Sequence, residues 1–411
     1  MKLSFFGGVG EVGRSNILLE TDKRIMMDDG VKLAPKLSYP RQFQGFVDVL
    51  IPTHAHLDHC GNLPAVYDYC SPPMLATPPT HALSWLLIKD SIKIQEGKVP
   101  WLKDSFKKAQ KNAQPMGYEH TKSFRHTDIT FHDAGHIPGS AMIEVNYEKK
   151  KLLYTGDYKM EPTKMHEGAK PVKDVDVLIT ESTYSDRDHP PRKQMFKNLW
   201  KSIAETIEKG GNVLMPSFAV GRAQELIQVL RECDPEVPIF LDGMAKTATD
   251  IILDYPSYIR SSKELVRAAG STNFVYDKQG KKDVLRHPSI IVATAGMLNG
   301  GPALGYLARL NDKSKVIFTG YCVEETNGWY LMNHGYIKND DGSKRKIHQK
   351  VEYYDLSAHA GRSDLFSFVK KCNPEKVVCV HGEHCDEFAS ELELEGFDTH
   401  APKLGETINL F

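Results

Sequence analysis

The sequence predicts an α/β protein of two domains, one inserted into the other, and three observations carry that expectation. First, short apolar runs repeatedly end near an ionisable residue. Val47-Asp48-Val49-Leu50-Ile51 leads to His54, Lys151-Leu152-Leu153-Tyr154 to Asp157, and Val175-Asp176-Val177-Leu178-Ile179 to Glu181. Val351-Glu352-Tyr353-Tyr354 leads to His359, and Lys376-Val377-Val378-Cys379-Val380 to His381. Second, helical segments intervene over 83–95, 192–209, 223–233 and 364–371. Five strand ends bearing such groups suggest one rim, where layered α/β folds place their sites. Third, candidate ligands cluster from His54 to Asp157 and resume only at His381, 224 positions later. No loop needs that length.

Further strand and helix units fill the gap. Asn212-Val213-Leu214-Met215-Pro216 precedes Gly221-Arg222-Ala223-Gln224-Glu225-Leu226, and Ser289-Ile290-Ile291-Val292-Ala293 and Lys315-Val316-Ile317-Phe318-Thr319 follow. The expected organisation is a first domain over 1–187, an inserted domain over 188–345, and completion of the first domain over 346–411. A length of 411 residues agrees with more than one core.

Composition bounds the function. Hydrophobic residues make up 41% and charged residues 26%, as in ordinary globular proteins. No run of about 18 apolar residues occurs, so no membrane partner is expected. The N-terminal Met1-Lys2-Leu3-Ser4-Phe5-Phe6-Gly7-Gly8 is too short in apolar residues for a signal peptide. Seven scattered cysteines without a CxxC pair point to a reducing, cytoplasmic setting. A net charge of −1 gives no global sign of a nucleic-acid partner, so any such surface must be local. Two lysine-rich stretches qualify: Lys98 to Lys111, and Lys344-Arg345-Lys346. Each is equally a solvated face, which lysine runs usually are.

Gly8-Val9-Gly10-Glu11-Val12-Gly13 spells GxGxxG, but a dinucleotide fingerprint needs a helix next. Asn16-Ile17-Leu18-Leu19-Glu20 and Lys23-Arg24-Ile25-Met26-Met27-Asp28 follow instead, and they read as two strands around a turn. The glycines are better explained as a loop passing close to the site.

The densest chemistry is Thr53-His54-Ala55-His56-Leu57-Asp58-His59. Imidazole and carboxylate at this spacing suit a strand-end loop around cations, zinc first and Mn2+ second. An isolated HxH would be an ordinary histidine turn. Here His136 in Gly135-His136-Ile137-Pro138, Asp157 in Thr155-Gly156-Asp157 and His381 in Val380-His381-Gly382-Glu383 extend the set. Two cations about 3.5–4 Å apart lower the pKa of a shared water to about 7 and clamp the oxygens of a phosphodiester.

The order HxHxDH, His, Asp, His resembles the metallo-β-lactamase superfamily. The resemblance implies an αββα sandwich, with His54, His56 and His136 on one Zn2+, Asp58, His59 and His381 on the other, and Asp157 bridging. Asp58 also counts among the catalytic groups. Asp28 matches the first family motif, as an orienting group behind the ligands, with Asp29 a close competitor.

Thr180-Glu181-Ser182-Thr183-Tyr184, Ser357-Ala358-His359-Ala360 and Val380-His381-Gly382-Glu383 resemble motifs A, B and C of the β-CASP nucleases. Gly221-Arg222-Ala223-Gln224-Glu225-Leu226, Ala295-Gly296-Met297-Leu298 and Gly320-Tyr321-Cys322-Val323-Glu324 resemble the inserted β-CASP domain. The motif B histidine is similar to the RNA-directed branch. By that resemblance His359 is the general acid and Glu181 its hydrogen-bond partner. Ser140, Arg222, Ser357 and Arg362 are candidate substrate contacts. The sequence departs from the pattern at Glu324-Glu325-Thr326, which adds a carboxylate, and at Gly361-Arg362 after motif B.

The chain begins at its first strand and has thirty residues after His381. It is therefore expected to lack the N-terminal KH domains of one archaeal group and the C-terminal domain of bacterial RNase J. It is similar to the short archaeal relatives of the cleavage-and-polyadenylation endonuclease, with archaeal RNase J as a neighbour. The expected function is a metal-dependent ribonuclease on single-stranded RNA, cutting internally or from the 5′ end. A small-molecule metallo-hydrolase leaves the insertion unexplained, and a dead RNA-binding scaffold leaves the complete ligand set unexplained. The terminal Thr407-Ile408-Asn409-Leu410-Phe411 reads either as an edge through which two copies form a homodimer or as a strand of its own sheet.

Overall fold

A computed structural model describes residues 1–233 and 236–411, with the backbone alone of Cys233. The chain divides into two compact units. The first comprises Met1–Pro162, His166–Asp188 and Ala358–Phe411, and the second Thr163–Met165 and His189–Ser357.

The first unit opens with β1 (Lys2–Gly7), β2 (Asn16–Glu20), β3 (Arg24–Met27), β4 (Val49–Ile51), β5 (Met74–Ala76) and β6 (Ala113–Pro115). It continues with β7 (Thr121–Phe124), β8 (Thr127–Asp133), β9 (Ala141–Tyr147), β10 (Lys150–Tyr154) and β11 (Val177–Glu181). The second unit holds β12 (Val213–Pro216), β13 (Ile239–Asp242), β14 (Asn273–Phe274), β15 (Ile290–Ala293), β16 (Lys315–Phe318), β17 (Tyr336–Lys338), β18 (Lys344–Lys346) and β19 (Lys350–Tyr353). The first unit then resumes with β20 (Lys376–Val380), β21 (Asp398–His400) and β22 (Thr407–Asn409).

Two seven-stranded sheets form the first unit, ordered β22-β1-β2-β3-β4-β5-β6 and β21-β20-β11-β10-β9-β8-β7. Their strands carry apolar residues on both faces, because both faces are covered. Leu152 and Tyr154 of β10, with Val378 and Val380 of β20, face the core between the sheets, where Phe5, Ile17, Ile25 and Ile51 meet them. Leu153 and Val377 point the other way, onto Leu365, Phe368 and Phe388 from the helices at 362–372 and 385–394. Leu18, Met26 and Leu50 face Leu63, Val66 and Ile88 outside the first sheet. The layers are therefore helix, sheet, sheet, helix, as expected.

The expected strands and helices lie within a few residues of those observed, and the Lys376–Val380 strand matches in full. β2 and β3 pair antiparallel with no helix after the GxGxxG run. β22 pairs antiparallel with β1, so the C-terminal run completes its own sheet. Residues 346–357, expected in the completion of the first domain, lie within the second compact unit, because β19 pairs in parallel with β16 at the edge of its six-stranded sheet. For the same reason the strand preceding His359 does not share the sheets of the other four. The metal-type run is not wholly a loop either, since Leu57–Cys60 forms one helical turn.

Candidate metal centre

Four strand ends supply the site. His54 and His56 follow β4, Asp157 follows β10, Glu181 ends β11 and His381 follows β20. His136 lies in the turn between β8 and β9. Two glycines permit the close approach. A Cβ on Gly30 would collide with the Asp58 carbonyl, and one on Gly156 (φ +51°) would press on Thr53.

The two oxygens of Asp157 divide the donors. Oδ2 lies 3.5 Å from His54 Nε2 and 3.8 Å from His136 Nε2. Oδ1 lies 3.3 Å from His59 Nε2 and 3.6 Å from His381 Nε2. His56 joins the first group through Nδ1, 3.2 Å from His54 Nε2 and 3.1 Å from His136 Nε2. Asp58 Oδ2 joins the second, 3.7 Å from His381 Nε2. Donors about 2.0–2.1 Å from a tetrahedral zinc lie about 3.3 Å from each other, so both groups have the spacing of a ligand shell. Among the described residues His59 Nε2, His381 Nε2 and Asp157 Oδ1 are buried with no hydrogen-bond partner. Buried polar atoms are costly when unpaired, and these three converge. The residues present fit a bound metal pair.

The far ring nitrogens are tied down. His59 Nδ1 donates to Asp28 Oδ2 at 2.7 Å, His136 Nδ1 to the Ala358 carbonyl at 2.9 Å, and His381 Nδ1 meets Ser15 Oγ at 2.9 Å. Such bonds present the other nitrogen's lone pair to a cation. Asp28 also accepts from the Thr53 N–H and hydroxyl and from Tyr154 Oη. Asp29 binds Asn16 and Asn62 instead, and burial pushes its carboxyl up to about 7. The structure therefore separates the two aspartates: Asp28, not Asp29, touches the histidine set.

Electrostatics follow the packing. Burial, joined by the His59 charge, pushes His54 well below its ordinary pKa; burial and His359 do the same to His136, and burial lowers His56. Neutral imidazole is the ligating form. Burial opposes ionisation of Asp157, but His381 and His59 outweigh it and hold its carboxyl well below the usual range. His59 is raised, since Asp157 and Asp28 outweigh its burial.

Beside this set, His359 Nδ1 bonds Glu181 Oε2 at 2.9 Å and lies 3.9 Å from Asp157 Oδ2. Burial disfavours its charge, yet Glu181 and Asp157 prevail and raise its pKa to about 9. The Tyr158 N–H and the Thr183 hydroxyl hold Glu181 in place. The His359 side chain keeps 20% exposure, whereas Glu181 keeps 1%, so the imidazole is the member that meets solvent.

The candidate substrate residues are differently employed. Ser140 is buried, its Oγ accepting from the His136 and Ile137 N–H groups, and so it shapes the His136 turn. Arg222 is half-buried and pairs with Glu225 at 2.7 Å. Ser357 is buried, with its N–H on Asp355. Arg362 bonds the Ser185 carbonyl and Glu391. Glu324 and Glu325 are exposed. Ser15, Thr53, Tyr154 and Thr183 were missed. Thr53 borders His54, which is a usable signal, but nothing in spacing pairs Ser15 with His381.

Comparison with known proteins agrees with this geometry. Residues 46–188 match the metallo-beta-lactamase superfamily, 223–331 the Beta-Casp domain, and 344–402 the Zn-dependent metallo-hydrolase RNA specificity domain. A protein of Methanocaldococcus jannaschii named Probable RNase MJ4 is 37% identical over the whole of both chains. The chain belongs to the Beta-Casp metallo-beta-lactamase family. RNase aCSPSF2 of Saccharolobus solfataricus is 33% identical over 99% of this chain and 85% of its own. Transcription termination factor FttA of Methanocaldococcus jannaschii is 35% identical over 95% of this chain and 69% of its own. A crystal structure of an Enterococcus faecalis protein of unknown function shares the fold, with 14% identity and a TM-score of 0.62 over 99% of each chain. Among the described residues no helix is long and apolar enough to cross a membrane.

Proposed function

We propose that the chain is a metal-dependent ribonuclease that hydrolyses phosphodiester bonds of single-stranded RNA. The observation that carries this reading is the convergence of three buried donor atoms with no hydrogen-bond partner, on His59, Asp157 and His381, beside a half-buried imidazole backed by a buried carboxylate. His54, His56 and His136 would hold one cation and Asp58, His59 and His381 the second, with Asp157 set between the two groups. Zn2+ suits these donors first and Mn2+ second. When bound, such a pair acidifies water and stabilises charge on phosphate oxygens. Asp28, Ser15 and the Ala358 carbonyl orient the imidazoles.

His359 holds a proton at neutral pH and donates it to the departing oxygen. Glu181, itself held by Thr183 and the Tyr158 N–H, accepts from His359 Nδ1 and so favours the imidazolium, whose Nε2–H is the proton donated. Ser140, Arg222, Ser357 and Arg362 remain candidate substrate contacts, each also bonded within the chain. The names of the relatives, two of them RNases, support RNA as the substrate class. A reducing compartment suits the cysteines, since the six whose side chains are described are all free.

The test is a time course on RNA carrying a 5′ label and a monophosphate, triphosphate or hydroxyl end. Wild type degrades it, whereas Asp157→Ala and His359→Ala do so far more slowly. Equal degradation by all three overturns the reading. Mononucleotides from monophosphate ends alone identify a 5′-to-3′ exonuclease; internal fragments from all three identify an endonuclease.

A further inference from the structure

The hairpin of β17 and β18 contains the Lys344-Arg345-Lys346 run noted in the sequence. Its register sorts the side chains. Tyr336 lies opposite Lys346, and Lys338 opposite Lys344, so these four share one face. Ile337 opposes Arg345 on the other face and is buried in the core of the second unit. One face is therefore anchored, and the other presents three lysines and a tyrosine outward. All three lysines are exposed.

Rings line the same face. Tyr336 stacks on Tyr330 at 5.4 Å and 21° between planes, and on His334 at 5.9 Å and 20°. His334 is exposed at the end of the Asn327–His334 helix. The Lys338 ammonium sits 4.0 Å from the Tyr330 ring centre and the Lys344 ammonium 4.7 Å from that of Tyr336. Ring contacts fix these ammoniums without neutralising them. Among the described residues none of the three lysines forms an ion pair with a carboxylate. Glu325 acts on Lys338 from a distance, and Asp341 is spent on its own turn, accepting from the Ser343 N–H.

A solvated charge face needs no parallel rings, and an aromatic core needs no row of uncompensated ammoniums. Together they match what a single-stranded polynucleotide offers: phosphates for the lysines and base faces for the rings. The geometry points to a nucleic-acid contact site on this hairpin face, where Lys338, Lys344 and Lys346 meet phosphates and the exposed His334 ring, backed by Tyr336, stacks a base. The identity of its ligand rests on the ribonuclease reading above. An acidic protein segment is disfavoured, since it would satisfy the lysines but give the rings nothing to stack.

The test uses the intact metal-loaded protein and a slowly cleaved phosphorothioate oligouridylate of 20 residues, read by fluorescence anisotropy across a salt series. Lys344→Ala with Lys346→Ala is expected to weaken binding about tenfold and to flatten the log–log salt slope by about 1.4, at about 0.7 per lost phosphate contact on a single strand. His334→Ala is expected to weaken binding about fivefold with the slope unchanged, as loss of stacking does. Replacing both lysines by Arg preserves affinity. On cleavable RNA the lysine variant raises KM and leaves kcat intact. Wild-type affinity and slope in the lysine variant overturn the site. So does an unchanged affinity in His334→Ala combined with displacement of the RNA by a polyglutamate peptide, which marks a protein-binding surface. Absence of RNA cleavage by wild type, with these binding differences intact, counts against the ribonuclease reading and not against the site.

Discussion

The two units treat buried charge in opposite ways. In the second, each buried ionic group among the described residues has opposite charge beside it: Glu225 lies between Arg192 and Arg222, and Asp242 is met by Lys246, Lys281 and the Tyr306 hydroxyl. In the first, the rim of strand ends gathers four imidazoles around one buried carboxylate and leaves three of their atoms with no hydrogen-bond partner. Both arrangements are costly in desolvation. The difference teaches where the compensation comes from. Within the second unit it is built into the chain. In the first the donors are completed by what binds.

That contrast breaks first at Asp157. Asp157→Ala removes the oxygens facing both donor groups, and RNA cleavage is expected to fall on the order of 10⁴-fold or more, with metal lost by elemental analysis. Retention of the full metal content would show that the two groups bind independently. His359→Ala should slow turnover by about 10²–10⁴-fold while metal content holds. Its raised pKa fixes the sign of the pH effect. Glu181 favours the imidazolium and bound cations oppose it, so kcat falls as pH rises through the titration of this group. Glu181→Gln removes the carboxylate that raises this pKa, so the fall should move to lower pH; an unmoved profile would exclude His359 as the titrating acid.

Ser15→Ala tests the orientation of His381, with metal affinity about tenfold weaker expected by competition with a chelator. The smallest effect on chemistry belongs to the other side of the comparison. Glu225→Ala removes the buried carboxylate that two half-buried arginines share and should lower the midpoint of denaturant unfolding, with metal content unchanged. Loss of metal in that variant would mean that the two units do not divide the work as described.

Reading the sequence located the site better than its supports. His54, His56, Asp58 and His59 were legible because adjacent residues at fixed spacing need no tertiary knowledge. Asp157 and His381 were legible because each follows an apolar strand. Ser15 is 366 positions from His381, and no local pattern records that contact. The second compact unit covers His189–Ser357 where the sequence suggests an insertion over 188–345. The reason is that Lys350–Tyr353 reads as a strand wherever it pairs, and only its register with Lys315–Phe318 assigns it.

The four candidate substrate residues show the same limit. Arg362 is charged in sequence, but the Ser185 carbonyl and Glu391 that occupy it lie elsewhere in the chain, whereas Arg222 meets Glu225 only three residues on. Local order thus determined which groups are available: the ligand types, the strand ends that carry them, and the imidazole of motif B. Tertiary structure alone decided how they are used. It set the two oxygens of Asp157 toward different histidines, chose Asp28 over Asp29, and turned three lysines and a tyrosine onto one face of a hairpin. Each of these depends on distances between residues far apart in the chain, which packing and strand register set and composition does not.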